Sequence, residues 1–430
     1  MIRILKWAET PNNVKEKIMK RAQADMVPIQ EYVAEWINKI KMNGDKGILE
    51  YIQKFDNKNF TLDKLKVSEK DIKEAYEKVE PNVLEMIKKQ ISISKKFHEK
   101  QVEMMDKKWS IETIPGVITG SKKTPVDAAG LYVPAGKAPL PTVAQILTVA
   151  ANAAGVKRKV VCFAPTGNHY EIIVAANEAG ADEIYRVGGI AAIAALALGT
   201  ESIKPVNVIA GPGNPYVQSA KLQLFGKVGI DMLSGPSEAL IIADETANPK
   251  YLAADILARC EHGPDSAGVV VTNSMRIAEE TKKEIEIQAP KLSRQEYIPK
   301  ALKEYSAIIF VENKEEMIDF ANEYAAEHLE IQTKNPRDVF EKIRNAGAVF
   351  IGNYAPVAVG DYASGTNHCL PTGVAPKFSS PVGVETFMKN IEFQELTEEG
   401  LRNLQPIVQI ISRVEGLDAH EESVNIRFKK

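Results

Sequence analysis

Long apolar runs are missing from this 430-residue chain. The longest, such as the stretch from Ile190 to Leu198, falls far short of the roughly 20 residues that span a bilayer, so we expect no membrane partner. The stretch from Met1 to Arg21 is charged throughout and lacks an apolar core, so we expect no signal peptide. Neither sign of charge dominates, with 54 Lys and Arg against 57 Asp and Glu, which gives no electrostatic reason to expect nucleic acid.

Cysteine is scarce as well. Cys162, Cys260 and Cys369 cannot make a disulfide framework and suit a reducing compartment, so the sequence predicts a cytoplasmic protein. We expect Cys260 and Cys369, which adjoin candidate site histidines, to be ordinary buried thiols. The chain is too long for one hydrophobic core, and its 44% hydrophobic residues are typical of a globular protein.

Residues 13 to 106 combine many charges with apolar positions at three- and four-residue spacing, as from Ile29 to Ile40. This pattern predicts amphipathic helices, which we interpret as packing and dimer scaffold. Ser68-Glu-Lys-Asp71 indicates a capping box at a helix start. His98 in this region and His169 in a later turn are expected to be surface residues.

From about Ala128, short apolar runs alternate with helical patterns. The predicted strands are 160–164, 183–187 and 206–210, then 239–243, 268–272, 307–311 and 348–351. The predicted helices are 170–179 and 190–198, then 249–259, 275–287, 314–326, 336–345 and 401–414. Strands that alternate with helices are typical of parallel sheets covered on both faces. Gly416 is expected to end the last helix.

The sequence therefore predicts an α/β fold with two doubly wound parallel sheets, of an incomplete Rossmann-like type, and helical extensions at both ends. We expect residues 1–25 to form an N-terminal arm. Residues 26–129 with 239–382 would form a first α/β domain and 130–238 a second. Residues 383–430 would form a C-terminal helical extension.

Two glycine-rich stretches follow predicted strands, where a doubly wound sheet binds its ligand. Gly211-Pro-Gly-Asn-Pro-Tyr lacks the third glycine of a dinucleotide-binding fingerprint, and Gly130 to Lys137 has the wrong spacing for a Walker loop. Gly188-Gly189 and Gly211 to Asn214 are expected to turn free backbone N–H groups toward a phosphate or a ribose. Taken alone, either stretch is also typical of a tight turn between strand and helix.

Four of the six histidines lie near a carboxylate among glycines and turns. They are His262 after Glu261, His328 after Glu327, His368 after Asp361, and His420 after Glu415. Histidine and aspartate are good zinc ligands, and an adjacent Glu-His pair can supply a base for water and a proton carrier. Spacing alone does not join these distant clusters into one site.

These clusters and the sequence around them resemble the histidinol dehydrogenase family over nearly the whole chain. The segments that carry the resemblance are Tyr132-Val-Pro-Ala-Gly-Lys-Ala-Pro, Ile184-Tyr-Arg-Val-Gly-Gly, Gly211-Pro-Gly-Asn-Pro-Tyr-Val, Ile230-Asp-Met-Leu-Ser-Gly-Pro-Ser-Glu238, Glu261-His-Gly-Pro-Asp-Ser, Ala326-Glu-His-Leu-Glu, Gly360-Asp-Tyr-Ala-Ser-Gly-Thr-Asn-His368, and Glu415 to His420. Several long motifs in the same order make the resemblance specific.

Members of this family oxidise the alcohol histidinol to histidine through the aldehyde, with two NAD⁺ at one site, in the last steps of histidine biosynthesis. The resemblance implies NAD and one zinc ion per subunit as cofactors, and a domain-swapped homodimer with shared active sites. It implies His262, Asp361 and His420 as zinc ligands, with His420 coming from the partner subunit. His328 would be the base that takes the alcohol proton, and Glu327 would activate water.

The resemblance also implies binding residues. Ser237, His368 and Glu415 would hold the substrate, alongside Glu327 and the three zinc ligands. Tyr132 and Asn214 match positions that contact NAD.

Two positions depart from the family. Arg259 stands where the family has a glutamine zinc ligand; it should share a helix face with His262, and a guanidinium has no lone pair for a metal. Arg259 could swing aside while water or substrate fills the position, it could bind an anionic group of a substrate, or Cys260 or Cys369 could substitute as the ligand. Ala191 replaces a glutamine that contacts NAD, which removes a side-chain amide from the cofactor crevice.

Three functions remain open. The first is NAD-dependent oxidation of L-histidinol. The second is a paralogous NAD-dependent dehydrogenase of another small, anionic alcohol, such as a sulfonated propanediol, recognised by Arg259. The third is a ligand-binding or regulatory homodimer without catalysis; the pair Glu327-His328 argues against it, because a charged pair serves no purpose in a dry core.

Overall fold

The computed structural model describes residues 2–22, 26–136, 139–233 and 235–429. Fourteen strands and seventeen α-helices are formed within these ranges. The strands are β1 (Arg3–Lys6), β2 (Lys108–Ile114), β3 (Val117–Pro125), β4 (Ala128–Val133), β5 (Arg158–Phe163), β6 (Glu183–Arg186), β7 (Val208–Ala210), β8 (Gly229–Ile230), β9 (Glu238–Ala243), β10 (Ala267–Thr272), β11 (Ala307–Phe310), β12 (His328–Gln332), β13 (Ala348–Ile351) and β14 (Met388–Leu396). The helices are α1 (Asn12–Lys20), α2 (Gln30–Asn43), α3 (Asp45–Phe55), α4 (Glu69–Lys78), α5 (Pro81–Glu103), α6 (Pro141–Ala154), α7 (Tyr170–Glu178), α8 (Gly189–Leu198), α9 (Pro215–Leu224), α10 (Pro249–Cys260), α11 (Met275–Gln288), α12 (Ile298–Glu304), α13 (Lys314–Tyr324), α14 (Pro336–Phe340), α15 (Val357–Tyr362), α16 (Glu398–Glu415) and α17 (Asp418–Asn425).

The chain divides into two compact units, Met1–Gln101 with Asp127–Phe387, and Val102–Val126 with Met388–Lys430. The first unit contains two sheets in which all strand pairs are parallel. Their strand orders are β6-β5-β4-β7-β8 and β1-β11-β10-β9-β12-β13. From β4 or β9, successive strands of the chain are added first on one side and then on the other side of that strand, which is the doubly wound topology. The predicted pair of parallel sheets is confirmed.

Inner strands such as β4 and β10 are apolar on both faces because helices cover both sides of each sheet. All residues of β4, β9 and β10 are buried. Helix α8, which is rich in alanine, is also almost wholly buried, because small side chains let it pack closely between the sheet and neighbouring helices.

The packing of the N-terminal helices differs from the predicted domain division. Helix α2 packs on α8 and α9, α3 packs on α8, and α4 packs on α7. These N-terminal helices therefore join the five-stranded sheet, whereas residues 26–129 were expected to join the other sheet. One apolar cluster unites Trp36 and Ile52 with Tyr185 and Ile193. From the N-terminal arm, β1 pairs with β11 as an edge strand of the six-stranded sheet.

The second unit contains an antiparallel sheet in the order β14-β3-β2 together with α16 and α17. The predicted C-terminal extension, 383–430, was expected to be helical, but nine of its residues form β14, which pairs along its whole length with β3. Helix α16 ends at Gly416, which has a φ of 71°, as the left-handed C-terminal position favours.

Other local predictions have mixed outcomes. The capping box at Ser68 is confirmed, with Asp71 N donating to Ser68 Oγ and Ser68 N to Asp71 Oδ2. The prediction that His98 is a surface residue is wrong: it is fully buried, because it lies on the inner face of α5 with Nδ1 2.8 Å from Ser94 O. His169 is half-buried. Within the described ranges, no helix is long and apolar enough to cross a membrane.

Candidate active site

A cavity of about 1070 Å³ lies in the first unit. Its wall brings together Tyr132, Asn214, Ser237 and His262, four predicted site residues that are distant in sequence. Tyr132 and Asn214 lie at the carboxyl ends of β4 and β7, whereas Ser237 lies at the amino end of β9. The cavity therefore joins the carboxyl edge of one sheet to the amino edge of the other.

The hydroxyl groups of two tyrosines accept hydrogen bonds from the first backbone N–H groups of α8, beside the cavity. The Tyr132 hydroxyl accepts from Gly189 N at 3.3 Å, and the Tyr51 hydroxyl accepts from Ile190 N at 3.3 Å. The expectation that Gly188-Gly189 offers free N–H groups is therefore wrong for Gly189. Its amide is already capped by a neutral hydroxyl, so this helix start is not an open phosphate site.

Some polar groups of the second glycine-rich turn also have hydrogen-bond partners within the protein. Gly211 N donates to Asp231 Oδ2 at 2.7 Å, and the buried Lys221 ammonium lies 2.7 Å from Asp231 Oδ1. Asn214 Oδ1 accepts from Val217 N at 3.1 Å and so caps α9. Its side-chain amide group remains as the donor that this turn offers to a ligand.

One carboxyl in the cavity wall has little support. Asp56 contributes to the wall next to Tyr51, and its Oδ2 is buried without a hydrogen-bond partner. Burial raises the pKa of Asp56 to about 6. A partly buried carboxyl without a hydrogen-bond partner lowers the free energy of unfolding, and substitution of Asp56 can measure this effect.

Glu327 and His328 stand at the amino end of β12, next to β9 in the sheet. Glu327 Oε2 accepts from Ser237 Oγ at 3.0 Å and from Glu238 N at 2.8 Å. His328 Nδ1 lies 2.9 Å from Glu238 O and must donate to it, because a carbonyl oxygen only accepts. The order of strands in the sheet thus brings residues 237–238 and 327–328 into one network.

The His328 ring lies between two carboxylates. Nδ1 is 3.3 Å from Glu327 Oε2, and Nε2 is 3.6 Å from Asp361 Oδ1. Burial and the charge of Arg259 lower the pKa of His328, but the two carboxylates outweigh them and raise it to about 9. With Nδ1 committed to a carbonyl, loss of the proton leaves the lone pair on Nε2.

Arg259 points into the site, as its helix position predicts. Its guanidinium donates to Ser237 Oγ at 2.7 Å and to Asp361 Oδ2 at 3.1 Å. Although burial raises the pKa of Asp361, His328 and Arg259 together hold it well below its usual value. Arg259 has therefore not swung aside, and its positive charge is compensated within the chain.

The remaining candidate ligands are His262 and His368 of the first unit and Glu415 and His420 of the second. The surrounding protein and Arg259 lower the pKa of His262 to about 4, so its ring in the cavity wall is neutral at pH 7. Burial lowers the pKa of His368. Glu415 and His420 belong to the second unit, where both are exposed. In the part of the chain that the structure describes, no three His, Cys, Asp or Glu side chains form a metal-binding group.

Comparison with known proteins decides the family. The family model for histidinol dehydrogenase matches residues 19–428. This chain belongs to the histidinol dehydrogenase family. It is 43% identical to the histidinol dehydrogenase of Methanocaldococcus jannaschii over 430 residues, 99% of each chain, and 42% identical to that of Methanothermobacter thermautotrophicus over 416 residues, 96% of each. The crystal structure of histidinol dehydrogenase from Elizabethkingia anophelis superposes with a TM-score of 0.92 at 35% identity, covering 99% of this chain and 98% of that one.

Histidinol dehydrogenases are NAD-dependent oxidoreductases that use NAD and one zinc ion per subunit. Cys260 and Cys369 are buried thiols, and burial raises the pKa of Cys260 to about 11, which argues against their serving as substitute ligands. Ala191 is fully buried in the apolar core of α8. At this position the chain has only a methyl group, where the resemblance implies a glutamine side chain in the family.

The sequence did not single out two charged residues of this candidate site. Arg21 Nε lies 2.8 Å from Glu238 Oε2, and both side chains are 3% exposed. Glu238 ends one of the motifs that carry the resemblance and is the only charged residue of β9. A charge inside a buried strand is rare unless it is paired, and that is the signal that could have identified it.

When Arg21 and Glu238 are included, the buried network contains as many positive as negative formal charges. The three cations are Arg21, Arg259 and protonated His328, and the three anions are Glu238, Glu327 and Asp361. Removal of any one of them leaves an uncompensated charge in a region of low dielectric.

Proposed function

We propose that this member of the family oxidises L-histidinol to L-histidine through the aldehyde, in the last steps of histidine biosynthesis. The observation that carries the proposal is the bonded network of Ser237, Glu327 and His328, which adjoins the cavity that holds Tyr132 and Asn214. An alcohol becomes an acid by losing four electrons and gaining the oxygen of one water. NAD supplies the hydride acceptor for each of the two oxidations.

His328 is proposed as the base of the alcohol step. Its Nδ1 is held by Glu238 O at 2.9 Å, so in the neutral ring Nε2 is the atom that would receive the hydroxyl proton. Because the pKa of His328 is raised to about 9, the neutral ring becomes more abundant, and the alcohol step faster, as the pH rises toward that value. Glu327 Oε2, 3.3 Å from Nδ1, stabilises the imidazolium that results. The ring orientation is therefore set before substrate arrives.

Glu327 is proposed to take a proton from the water that attacks the aldehyde. Burial raises the pKa of Glu327, but His328 and Arg259 bring it below its ordinary value, so it is an ionised acceptor at pH 7. Ser237 Oγ and Glu238 N fix its Oε2. A fixed carboxylate can receive a proton from water without losing its orientation.

The residue types in the proposed zinc site, two histidines and one aspartate, are those of a catalytic zinc site with an open position. His262 is neutral, Asp361 is ionised, and Asp361 Oδ1 has only a distant contact at 3.6 Å. We propose that these two residues, with His420 of a partner subunit, hold the metal, which would anchor the substrate nitrogens. Three protein ligands leave one position for substrate, so the arrangement does not need a ligand at position 259.

The alternative substrate, an anionic alcohol recognised by Arg259, is not favoured by the geometry. The guanidinium already pairs with Asp361 and bonds Ser237, and its side chain is 4% exposed. A substrate anion would have to displace a buried carboxylate to reach it.

A homodimer with shared sites is proposed from the second unit. Helix α16 exposes an apolar row, Ile407, Ile410, Ile411 and Val414, of which Val414 is 80% exposed. Such a patch marks a protein interface, and a second copy of this chain would cover it. Glu415 and His420 adjoin the row and would enter the partner's site. We also propose a cytoplasmic location, for which the three free thiols are the support.

The direct test is NADH formation from histidinol by the purified protein, with Glu327→Gln and His328→Gln compared on histidinol and on the aldehyde. We expect His328→Gln to lose the alcohol step, and Glu327→Gln to lose the aldehyde step more than the alcohol step. His169→Gln, outside the network, is the matched control. Equal losses of both steps in Glu327→Gln would remove its assigned role, and silence of the wild type would overturn the function.

A further inference from the structure

Arg21 is a residue of the N-terminal segment whose side chain is buried beside the catalytic pair. It follows α1 directly, with a φ of 57° and ψ of −152°, a backbone conformation that is strained for a residue other than glycine. Its guanidinium lies 3.6 Å from the centre of the Tyr324 ring and donates to Tyr324 O. Such a backbone persists only where the surroundings fix it.

The partner of Arg21 is Glu238, which holds both catalytic residues. Glu238 Oε1 accepts from Glu327 N at 3.1 Å and from Gly373 N at 3.2 Å. Its own backbone N donates to Glu327 Oε2, and its carbonyl accepts from His328 Nδ1. One residue thus fixes the main chain and carboxylate of Glu327 and the ring of His328.

Arg21 provides the positive charge that this arrangement needs. Burial raises the pKa of Glu238 to about 7; the charge of Arg21 opposes this rise and that of Glu327 adds to it. Without Arg21, the carboxyl would take up a proton at neutral pH. A protonated carboxyl accepts hydrogen bonds less strongly, and a proton on Oε1 would face the Glu327 and Gly373 amides.

We propose that Arg21 is a positioning residue of the oxidation: through its ion pair with Glu238 it keeps Glu327 and His328 in their reactive orientation. The inference rests on the proposed function, to which it adds a contribution from the N-terminal segment. Arg21 acts through Glu238 and need not touch the substrate.

The test compares four variants with the wild type. Arg21→Met removes the charge, and Arg21→Lys keeps it. The double variant Arg21→Met/Glu238→Gln removes both charges but keeps an acceptor at Oε1. Lys20→Met, one residue earlier on the exposed side of α1, is the matched control. All are assayed at a temperature well below the lowest melting point.

We expect Arg21→Met to lower kcat about 10- to 100-fold, as loss of a residue that orients a catalytic group does, with less than about a threefold change in the KM for NAD. Arg21→Lys and the double variant should regain about tenfold or more of that loss, and Lys20→Met should match the wild type. The proposal is overturned if Arg21→Met keeps its kcat, or if neither the lysine nor the double variant is more active than Arg21→Met.

A second readout separates this proposal from the proposed function. With six histidines in the chain, the ring signal of His328 can be assigned in the NMR spectrum of histidine-labelled protein from its absence in His328→Gln. We expect the signal to move in Arg21→Met and to return in the double variant, whatever the substrate. A wild type that is inactive on histidinol but shows this pattern would end the proposed function alone, and an unmoved signal would end the positioning proposal.

Discussion

Arg259 shares a carboxylate with the proposed metal. Its guanidinium holds Asp361 Oδ2 at 3.1 Å, which leaves Oδ1 for a cation and places a positive charge near it. Like charges that share one carboxylate weaken each other's binding. We therefore expect Arg259 to lower the affinity for the metal without being a ligand.

Arg259→Gln should therefore tighten zinc binding by about tenfold, the size of effect typical of groups around a metal's ligands. The reason is the loss of a repelling charge and the gain of an amide oxygen. Zinc affinity measured by competition with a chelator checks the prediction. Arg276→Gln, on the surface beside Glu280, is the control, and equal affinities in the two variants would contradict it.

Asp56 allows a prediction of stability against pH. Its pKa is raised from 3.8 to about 6 in the folded chain, so the native state resists its ionisation. The stability present below pH 3.8 is lost as pH rises through about 6, and the cost remains at neutral pH. Because the carboxyl is only partly buried, we expect Asp56→Asn to add about 1 kcal/mol at pH 7.5 and less at pH 5.

Urea unfolding at the two pH values measures this difference. Asp63→Asn changes an exposed acid and should leave stability nearly unchanged at both. A gain in Asp56→Asn that is larger at pH 5 than at pH 7.5 would contradict the assigned cause.

The site residues differ in how well they could be predicted from the sequence. The motifs named Ser237, Glu327, His328 and Asp361, and the structure places them in one network. Arg21 was not predicted, because its partner lies 217 positions away and nothing in its own neighbourhood marks it. Pairing across the fold depends on tertiary packing, which local spacing does not encode.

At the scale of elements, seven of the parallel strands were predicted: β5, β6, β7, β9, β10, β11 and β13. The strands β1, β2, β3, β4, β8 and β14 were missed, and so was the inner strand β12. Its sequence, His-Leu-Glu-Ile-Gln, is completely buried but carries three polar side chains. A buried central strand normally reads as a continuous apolar run. Polar residues stand here because the site and its supports occupy one face of the strand, and functional sites are where local rules fail.

One of those polar residues supports α15, the short helix that carries Asp361. Glu330 Oε1 accepts from Val357 N, the first residue of α15, at 3.0 Å. Glu330→Ala removes this acceptor and should destabilise the protein by about 1–2 kcal/mol, as loss of a helix cap does, and lower kcat. Glu330→Gln keeps an amide oxygen there and should keep most of the activity.

Denaturation and kcat of the two variants decide this prediction. Glu330 also lies close to Asp255, and both bond Gln332 Nε2, at 2.8 and 3.1 Å. Burial raises the pKa of both carboxyls, which favours a proton shared between them. The neutral side chain of the Glu330→Gln variant fits at this position without such a proton. Equal activity in the alanine and glutamine variants would show that the contact with α15 is unimportant.

At the scale of the whole molecule, the proposed sharing of sites between subunits predicts complementation. Mixed dimers of His420→Ala with His328→Ala contain one complete site if His420 serves the partner, and none if it serves its own chain. Random exchange of subunits should then restore about a quarter of wild-type activity from two inactive proteins.

Refolding the two variants together and measuring NADH formation gives the answer. Each variant refolded alone is the control and should stay inactive. Ile410→Asp, in the exposed row of α16, should give a monomer by light scattering and abolish complementation. Activity in that monomer would contradict a shared site.

The proposed catalytic network is built from separate stretches that include residues 21, 237–238, 259, 327–328 and 361. The last of these residues, Asp361, lies more than four-fifths of the way along the 430-residue chain, so a ribosome must synthesise that much of the polypeptide before the network can be complete. The proposed catalytic network is consequently completed late in the synthesis and folding of each molecule. During refolding, the return of helical circular dichroism should precede the return of turnover.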